Sequence, residues 1–376
     1  MERFKFDRRD YEILWPIGIF MAMILLLGLI VHFDLLEPHE MPSKDHLIPI
    51  SKPELSDTSI QIGAYIENIY LFSANTKTFN ADGWFWVIWS QKAQEYFTAR
   101  KLTPDKWLHI VNQVDEWDFK LEQFFDEPIQ LKDGHYYQGF KFSGHFYVND
   151  LQFRKFPFQT LKLPLIFELT DFSGIGSKTN IHNLHLVPDE LSSGLGIYID
   201  ITGYMTTAFN ILTNTHEYGS NFGLDKLDTK PLRTNQVVFE TSYKQSVNGA
   251  LLMLFLPLVI VMTLVLFSLM LSASLWDIRL GVPPTALLTL IFLQQIHMDK
   301  LSDLPYITFL DMIYNICYGI ILILFVLFLW GSNRLDRASE ADKPFIIEHI
   351  DAIDSRFQII LPISLLVMSV AAWLVI

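Results

Sequence analysis

The stretch that decides the fold is residues 279–299, which read RLGVPPTALLTLIFLQQIHMD. Plotted as a helix at about 100° per residue, it places one set of residues within about 40° of a single line. That set, which begins two residues before the stretch, is Asp277, Gly281, Thr285, Leu288, Phe292, Gln295 and Asp299. A stripe that mixes hydroxyl, amide and acidic groups faces a bundle interior or a water-filled path rather than lipid. Two interpretations follow: several copies form a pore from rings of like residues, or one helix packs its polar groups against neighbouring helices.

Other segments are also long and apolar enough to cross about 30 Å of hydrocarbon as helices. Four spans cluster at the C-terminal end, at about 250–271, 282–298, 306–330 and 358–376. A further apolar segment lies near the N-terminus, and no small-residue cleavage site follows it. We therefore expect residues 1–34 to be an uncleaved anchor, with a cleaved signal peptide as the alternative. A composition with 51% hydrophobic and 18% charged residues fits a membrane protein.

The basic residues predict the orientation of the spans, because Lys and Arg collect on cytoplasmic loops. The basic connections are 272–280 and 331–357, which carry Arg279, Arg334, Arg337, Lys343 and Arg356. Both connections then lie inside, and the long region before the four spans lies outside. We expect a multi-pass protein of the cell (inner) membrane with its β-rich domain on the outer or periplasmic side.

A linker, 35–56, leads to residues 57–246, where short runs alternate apolar and polar side chains and end at turn signals. Trp84-Phe85-Trp86-Val87-Ile88-Trp89 is aromatic and β-branched, which favours a strand and core positions for its three tryptophans. Many short strands without long helices indicate an all-β sandwich or barrel. We predict the sandwich, with one short helix over 104–114, followed by a transmembrane pore domain over 247–376.

Several other classes of function lack support in the sequence. A net charge of −13 without a basic face argues against nucleic-acid binding. The single cysteine, Cys317, excludes a disulfide within one chain. His182 and His185 have ligand spacing but no third ligand nearby, and Gly174-Ile175-Gly176 lacks the strand and helix that a phosphate loop needs. Because no catalytic constellation is recognisable either, we expect no enzyme, no metal site and no cofactor.

Five motifs follow one another in a fixed order. They are Asp82–Trp89, the loop Leu151–Gln159 with its Phe-Pro-Phe sequence, Pro257 in the first of the four spans, Arg279–Thr289, and Leu304–Phe309. Together with a β-rich region ahead of four spans, this order resembles the pentameric ligand-gated ion channels of the Cys-loop receptor superfamily, in their prokaryotic branch. The likeness covers residues 57–376. It departs from the family where Gln159 replaces a common Asp and Lys244 stands near a common Arg.

The resemblance implies a subunit of a homopentameric channel, in which a ligand on the outer sandwich opens a pore lined by the second of the four spans. It also implies that the Phe-Pro-Phe loop couples the two domains. The expected coupling residues are Phe156, Pro157, Phe158, Gln159, Lys244 and Pro305. The alternatives are a non-conducting receptor of the same fold or an anion-selective channel.

The ligand of such a channel would bind between subunits, under a hairpin that here lies within 217–235. Tyr218 and Phe222 are the aromatic candidates there, and an aromatic cage favours a cation. Histidines and carboxylates in the outer region also permit gating by protons or divalent cations. The expected partners are therefore membrane lipid, identical subunits and a small molecule, proton or divalent ion.

The signals for ion selectivity conflict. The helical plot puts Asp277 on the stripe and Arg279 about 160° away, so carboxylate rings from Asp277 and Asp299 would flank the pore. Acidic rings select cations, and the two prolines of the stretch free backbone carbonyls that also favour cations. Against this, Arg279-Leu280-Gly281 resembles the corresponding segment of anion-selective members. We predict cation selectivity.

Overall fold

The computed structural model describes residues 56–114, 118–149, 151–169, 184–219, 233–245, 247–298, 304 and 306–376. Contacts divide the described chain into two units. A β-rich unit falls within His39–Leu151 and Thr160–Lys244, and a helical unit contains Gln152–Gln159 and Gln245–Ile376. The predicted N-terminal anchor lies outside the described residues.

The strands of the β-rich unit form two sheets. In chain order they are β1 (Ser59–Ser73), β2 (Thr78–Trp89), β3 (Leu108–Ile110), β4 (Lys120–Gln123), β5 (Ile129–Gln130), β6 (Tyr136–Tyr147), β7 (Thr160–Leu169), β8 (His185–Pro188), β9 (Gly194–Tyr198), β10 (Tyr204–Glu217) and β11 (Arg233–Gln245). One sheet has the order β4-β6-β2-β1-β8, with β5 also paired to β6 and β9 to β1. The other has the order β10-β11-β7-β3, and both sheets contribute to one apolar core, as the predicted sandwich requires.

Strand β2 shows how the sequence builds this core. From Phe79 to Trp89 its residues alternate strictly between buried and half-exposed, because successive side chains of a strand point to opposite faces. Phe85 stacks on Phe140 of β6 at 4.8 Å between ring centroids and lies 5.1 Å from Phe167 in the other sheet. The Phe85 ring therefore packs against both sheets.

The core prediction for the three tryptophans holds only for Trp89, which is buried. Trp84 and Trp86 are half-exposed, because their even positions put them on the other face of β2. Trp86 still packs closely, since a Cβ added at Gly63 would lie 2.3 Å from its ring. Its indole nitrogen donates to Asp189 at 3.2 Å.

Short helices interrupt the strands at two places, α1 (Gln91–Ala99) and α2 (Pro104–Trp107). Helix α1 was not predicted; it begins at Ser90, whose hydroxyl accepts a hydrogen bond from the Ala93 amide. The helix predicted over 104–114 ends at Trp107. The prediction is wrong beyond that point, because Leu108–Ile110 pairs with β7.

The helical unit contains four helices that are long and apolar enough to cross a membrane, Leu251–Met270, Ala273–Met298, Phe309–Asp336 and Lys343–Val375, which indicates a membrane protein. The first comprises a π-helical segment (Leu251–Phe255), α3 (Leu256–Phe267) and a 3₁₀ turn (Ser268–Met270), and it follows a helical turn at Val247–Ala250. The others are α4 (Trp276–Met298), preceded by a 3₁₀ turn at Ala273–Leu275, α5 (Phe309–Asp336) and α6 (Lys343–Val375).

Three of these helices extend beyond the predicted spans. Helix α4 begins before its two prolines and continues through them. Helices α5 and α6 extend into the predicted loop 331–357 and leave only residues 337–342 between them. A capping box fixes the start of α5, where Thr308 and Asp311 each accept a hydrogen bond from the other's backbone amide.

Candidate functional site

Helix α4 has two unlike faces. Its buried residues are Arg279, Pro283, Ala286, Leu290 and His297. Its exposed residues include every described member of the predicted stripe: Asp277, Gly281, Thr285, Leu288, Phe292 and Gln295. Asp299 lies outside the described residues. The polar stripe therefore faces away from the other helices of the same chain, so it is not a set of polar groups packed against these neighbours.

The hydroxyl groups on this face are held by the helix itself. Thr285 Oγ1 donates to the Gly281 carbonyl at 2.9 Å, and Thr289 Oγ1 donates to the Thr285 carbonyl at 2.9 Å. Each hydroxyl proton is thereby engaged, and the oxygen lone pairs remain as acceptors. The exposed face thus offers the acceptor oxygens of Thr285 and Thr289 as well as the carboxylate of Asp277.

The apolar part of the stripe is bulky. Leu288 is 54% exposed and Phe292 is 61% exposed. In a membrane-spanning helix, side chains this open contact lipid, another subunit or the lumen of a pore. They follow Thr285 along the helix, so the stripe has a polar band and then an apolar band.

A buried ion pair holds the opposite face of α4. The guanidinium of Arg279 donates to the carboxylate of Asp354 on α6, and both side chains are less than 5% exposed. The same guanidinium lies 4.3 Å from the ring centroid of Phe328 on α5. Arg279 therefore joins three helices and does not lie on the stripe, in agreement with the helical plot.

Two further contacts from α6 hold the turn before α4. The carboxylate of Asp351 accepts a hydrogen bond from the Ala273 amide at 3.0 Å, and Gln358 donates to the Leu269 carbonyl at 3.1 Å. Sequence reasoning missed this cluster, because Asp351 and Asp354 lie in what was predicted to be a loop. Their spacing of three residues on one helix was the available signal.

A polar contact between α4 and α5 was also missed. Gln294 donates to Asp311 at 3.1 Å and accepts from the Tyr318 hydroxyl at 2.6 Å. It lies well away from the exposed stripe, on the side of α4 that faces α5. Both ends of the amide are engaged there, so Gln294 holds the C-terminal half of α4 in place.

The Phe-Pro-Phe loop packs within the helical unit. The ring of Phe158 lies 5.9 Å from that of Phe255, 6.3 Å from that of Phe309 and 5.8 Å from that of Trp373, measured between centroids. One loop residue thus contacts the helices that begin at Leu251, Phe309 and Lys343.

Hydrogen bonds fix the same loop to the start of α5. The Phe309 amide donates to the Arg154 carbonyl at 2.8 Å, and the Phe153 amide donates to a lone pair of the Tyr306 hydroxyl at 3.0 Å. The Arg154 guanidinium also lies 5.4 Å from the centroid of the Tyr306 ring. These residues immediately follow Pro305, which lies outside the described residues.

The other predicted coupling residues have different environments. Phe156, Pro157 and Gln159 are buried. Lys244 is exposed near the end of β11, where it pairs with Thr160. The structure therefore brings the Phe-Pro-Phe residues and the start of α5 together, and it places Lys244 in the β-rich unit.

The predicted ligand residue Tyr218 is tied to a buried carboxylate. Its hydroxyl donates to Glu168 Oε1 at 2.9 Å, and Gln236 donates to Glu168 Oε2 at 2.5 Å. His109 lies directly opposite Glu168 in the pairing of β3 with β7. The ring centroids of His216 and Tyr218 are 4.5 Å apart, and the two rings are nearly perpendicular. Phe222 lies outside the described residues.

This cluster shifts the ionisation of its members. Burial, together with the carboxylate of Glu168, raises the pKa of Tyr218 to about 12. Burial lowers the pKa of His109, and the negative charge of Glu168 partly opposes that effect. Glu168 was not predicted, because a carboxylate in a strand gives no sign of burial until the register is known.

Other sequence candidates gain no support. His182 and Gly174-Ile175-Gly176 lie outside the described residues, and His185 is exposed on β8. Within the described part of the chain, no three His, Cys, Asp or Glu residues are grouped so as to hold a metal ion.

Comparison with known proteins finds that neither a protein-family model nor a curated protein matches this sequence. The described structure does have the order of parts that the motifs predict, a β-rich unit followed by four apolar helices. The resemblance to pentameric ligand-gated channels therefore stands on the motifs and on this architecture.

Proposed function

We propose that this chain is a subunit of a homopentameric, ligand-gated, cation-selective channel whose pore is lined by α4. The observation that carries the proposal is the exposed stripe on a helix with the length and composition of a membrane span. Threonine, glutamine and aspartate are costly against lipid and are found in spans where they face protein or water. Copies of α4 around an axis would supply that environment.

The order of groups along the stripe fits a gate. Leu288 and Phe292 are bulky, exposed and one helical turn apart. Rings of such side chains close a narrow pore by excluding water, and they conduct when the pore widens. The hydroxyl and carboxyl groups at Thr285 and Asp277 would then face permeating ions on one side of the gate.

Cation selectivity is supported by the two charged residues near the start of α4. Asp277 is exposed on the stripe, whereas Arg279 is buried against Asp354. A carboxylate that reaches the lumen attracts cations. A guanidinium neutralised inside the bundle does not attract anions to the pore.

Gating is assigned to the β-rich unit. The Tyr218 and Glu168 cluster combines an aromatic ring with a buried carboxylate, which suits a small cationic ligand, and the imidazole of His109 opposite Glu168 is a group that can take up a proton. In the proposed orientation this unit lies on the outer or periplasmic side, and the Phe-Pro-Phe loop transmits the change to α5.

Current from the purified protein in planar bilayers tests this function. Steps from neutral to acidic pH, calcium and a series of small primary amines are the stimuli, applied under asymmetric sodium chloride. We expect a current that reverses near the sodium potential. A reversal near the chloride potential would contradict cation selectivity. The alternative, a receptor that does not conduct, would be favoured if the unmodified protein gives no current under any of these stimuli and a variant with a polar residue at Leu288 gives none either.

A further inference from the structure

Two consecutive prolines lie inside α4, and the helix continues through both. A proline has no N–H, so each one removes the donor for the carbonyl four residues earlier. Pro284 removes the usual donor to Leu280. In a 3₁₀ turn the Leu280 carbonyl would instead accept from the N–H of residue 283, but that residue is also a proline and has no N–H. The Leu280 carbonyl thus loses both of its normal partners at once.

The backbone carbonyl of Arg279 can be compared with that of Leu280, because Pro283 removes the N–H that would normally donate to it. The N–H of Val282, three residues after Arg279, is still present and can serve its carbonyl. The tandem sequence therefore singles out one carbonyl in the helix, and that carbonyl belongs to Leu280.

The freed carbonyl lies at the edge of the exposed face. Helix carbonyls point along the axis towards the residue four positions later, which for Leu280 is Pro284. Pro284 is exposed, whereas Pro283 is buried. A proline ring also clashes with the carbonyl four residues earlier, so we expect the Leu280 oxygen to turn out of the hydrogen-bond ladder on the exposed side.

The space around the next residue is open. At the adjacent Gly281, a Cβ would meet nothing within 4 Å. A backbone group without a partner is tolerated inside a membrane only where protein or a water-filled cavity satisfies it. In the described chain this face of α4 carries no such protein cover, which leaves water, an ion or another subunit.

We propose that the Leu280 carbonyls form a binding site for a partly dehydrated alkali or alkaline-earth cation. The site rests on the proposed pentamer, in which each copy supplies one carbonyl oxygen. The Asp277 carboxylate and Thr285 Oγ1 lie on the turns before and after the Leu280 carbonyl on the exposed face, where they offer further oxygen atoms to an approaching cation. Carbonyl, hydroxyl and carboxylate oxygens are the ligands that such hard cations prefer.

Carbon-13 NMR of the full chain in lipid bilayers tests the site directly. Labelling the leucine carbonyl carbon and the glycine nitrogen selects the Leu-Gly pairs, which occur at Leu27-Gly28, Leu195-Gly196 and Leu280-Gly281. The signal lost in Gly281→Ala identifies Leu280. The probes are sodium, potassium and barium chloride, with chloride of a bulky organic cation as the control for ionic strength.

We expect the Leu280 carbonyl signal to shift with the metal cations and not with the organic cation. Pro284→Ala restores the N–H donor to Leu280 and should weaken the apparent cation affinity at least tenfold. Pro283→Ala is the comparison variant: its new N–H serves Arg279 in an α-helix and offers Leu280 only the 3₁₀ donor, so it should weaken the affinity less than Pro284→Ala. No shift in the unmodified protein, or an equal shift in Pro284→Ala, would overturn the site.

Cation flux through the same liposomes separates this inference from the proposed function. Flux without a carbonyl shift would overturn the site and leave the channel intact. A carbonyl shift would support the site while contradicting the channel if no flux is seen under any of the stimuli named above, either in the unmodified protein or in a Leu288→Ser variant. Absence of both would contradict both proposals.

Discussion

At the scale of single residues, Leu288 is the side chain whose exposure makes the strongest prediction. It is open on the stripe of α4, where a ring of copies would exclude water from a closed pore. Leu288→Ser replaces that ring with hydroxyls, so we expect a leak current or activation at lower agonist concentration. A bias of about 1.4 kcal/mol towards the open state would lower the required concentration about tenfold.

Ile291→Ser is the matched control for Leu288→Ser. Ile291 is also exposed on α4 but lies beside the stripe. Bilayer recordings of both variants decide the assignment. Unchanged gating in Leu288→Ser, or the same gain in Ile291→Ser, would show that Leu288 is not at the gate.

Tyr218 gives a prediction on pH dependence. Its pKa is raised to about 12 by burial and by Glu168, so the folded chain holds the phenol proton more tightly than the unfolded chain. This stabilising contribution is present below the ordinary pKa near 10 and is lost as the pH rises towards 12. Glu168→Gln removes the negative charge, and we expect the pKa of Tyr218 to fall.

Absorbance titration of the phenolate measures this shift. The difference between each protein and its Tyr218→Phe counterpart isolates one tyrosine among the 14 in the chain. Glu217→Gln is the matched control, because Glu217 is adjacent but exposed. If Glu168→Gln leaves the titration of Tyr218 where it was, then the contact with Glu168 does not set its pKa.

At the scale of elements, the Arg279–Asp354 pair predicts how α4 is fixed to α6. Both side chains are buried, so removing one partner leaves an uncompensated charge and costs about 3–5 kcal/mol. We expect Asp354→Leu or Arg279→Met to lower the thermal stability of the detergent-purified protein. The double variant should recover part of the loss, because no unpaired charge remains.

Arg356→Met is the control for this pair, since Arg356 is an exposed arginine on the same helix. It should leave the melting temperature nearly unchanged. A double variant whose loss equals the sum of the two single losses would contradict the coupling between the two charges.

The Phe-Pro-Phe loop gives a second prediction at this scale. Phe158→Ala removes the ring contacts to Phe255, Phe309 and Trp373. We expect assembly and surface expression to survive while activation is impaired, because the loop would no longer move with the helices it contacts. Trp373→Ala should act similarly, and the two effects should not add.

Phe345→Ala serves as the control here, because Phe345 is 74% exposed near the start of α6. Size-exclusion chromatography reports assembly and bilayer recording reports activation. If Phe158→Ala abolishes assembly to the same degree as activation, the loop has a structural role only.

Periodicity predicted the elements well where burial dominates. The apolar runs of the four spans and the alternation of β2 both follow from the need to cover apolar side chains, and both are present. Helix α1 was missed because a short capped helix between strands has little periodicity of its own. The predicted burial of Trp84 and Trp86 was wrong, because an aromatic run does not show whether its odd-numbered or its even-numbered residues point into the core.

The residues of the candidate site likewise include some that the sequence pattern predicts and some that it does not. The stripe of α4 follows from helical geometry alone, which is why its described members share one exposed face. The burial of Glu168 and the pairing of Asp354 with Arg279 could not be predicted, because they depend on partners that are 50 and 75 residues away in sequence. Long-range polar pairs of this kind appear only when the tertiary structure is known.

At the scale of the whole molecule, the distribution of charge around α4 predicts which ions pass. Asp277 is exposed on the stripe, and the nearest basic residue on the helix is neutralised within the bundle by Asp354. A pentamer would therefore present a ring of carboxylates at that end of the pore, which attracts cations and repels anions. Asp277→Asn keeps the size of the side chain and removes this charge. We expect the reversal potential in asymmetric salt to move away from the sodium potential.

The matched control is Asp336→Asn, which removes an exposed carboxylate at the end of α5, away from the stripe. It should leave the reversal potential unchanged, because its charge lies away from the ion path and is screened by salt over about 10 Å. Arg279→Met with Asp354→Leu removes a charge pair without changing the net charge, and it should also preserve cation selectivity. A reversal near the chloride potential in the unmodified protein would contradict the carboxylate ring. So would equal shifts in Asp277→Asn and Asp336→Asn, since the effect would then come from surface charge rather than from the stripe.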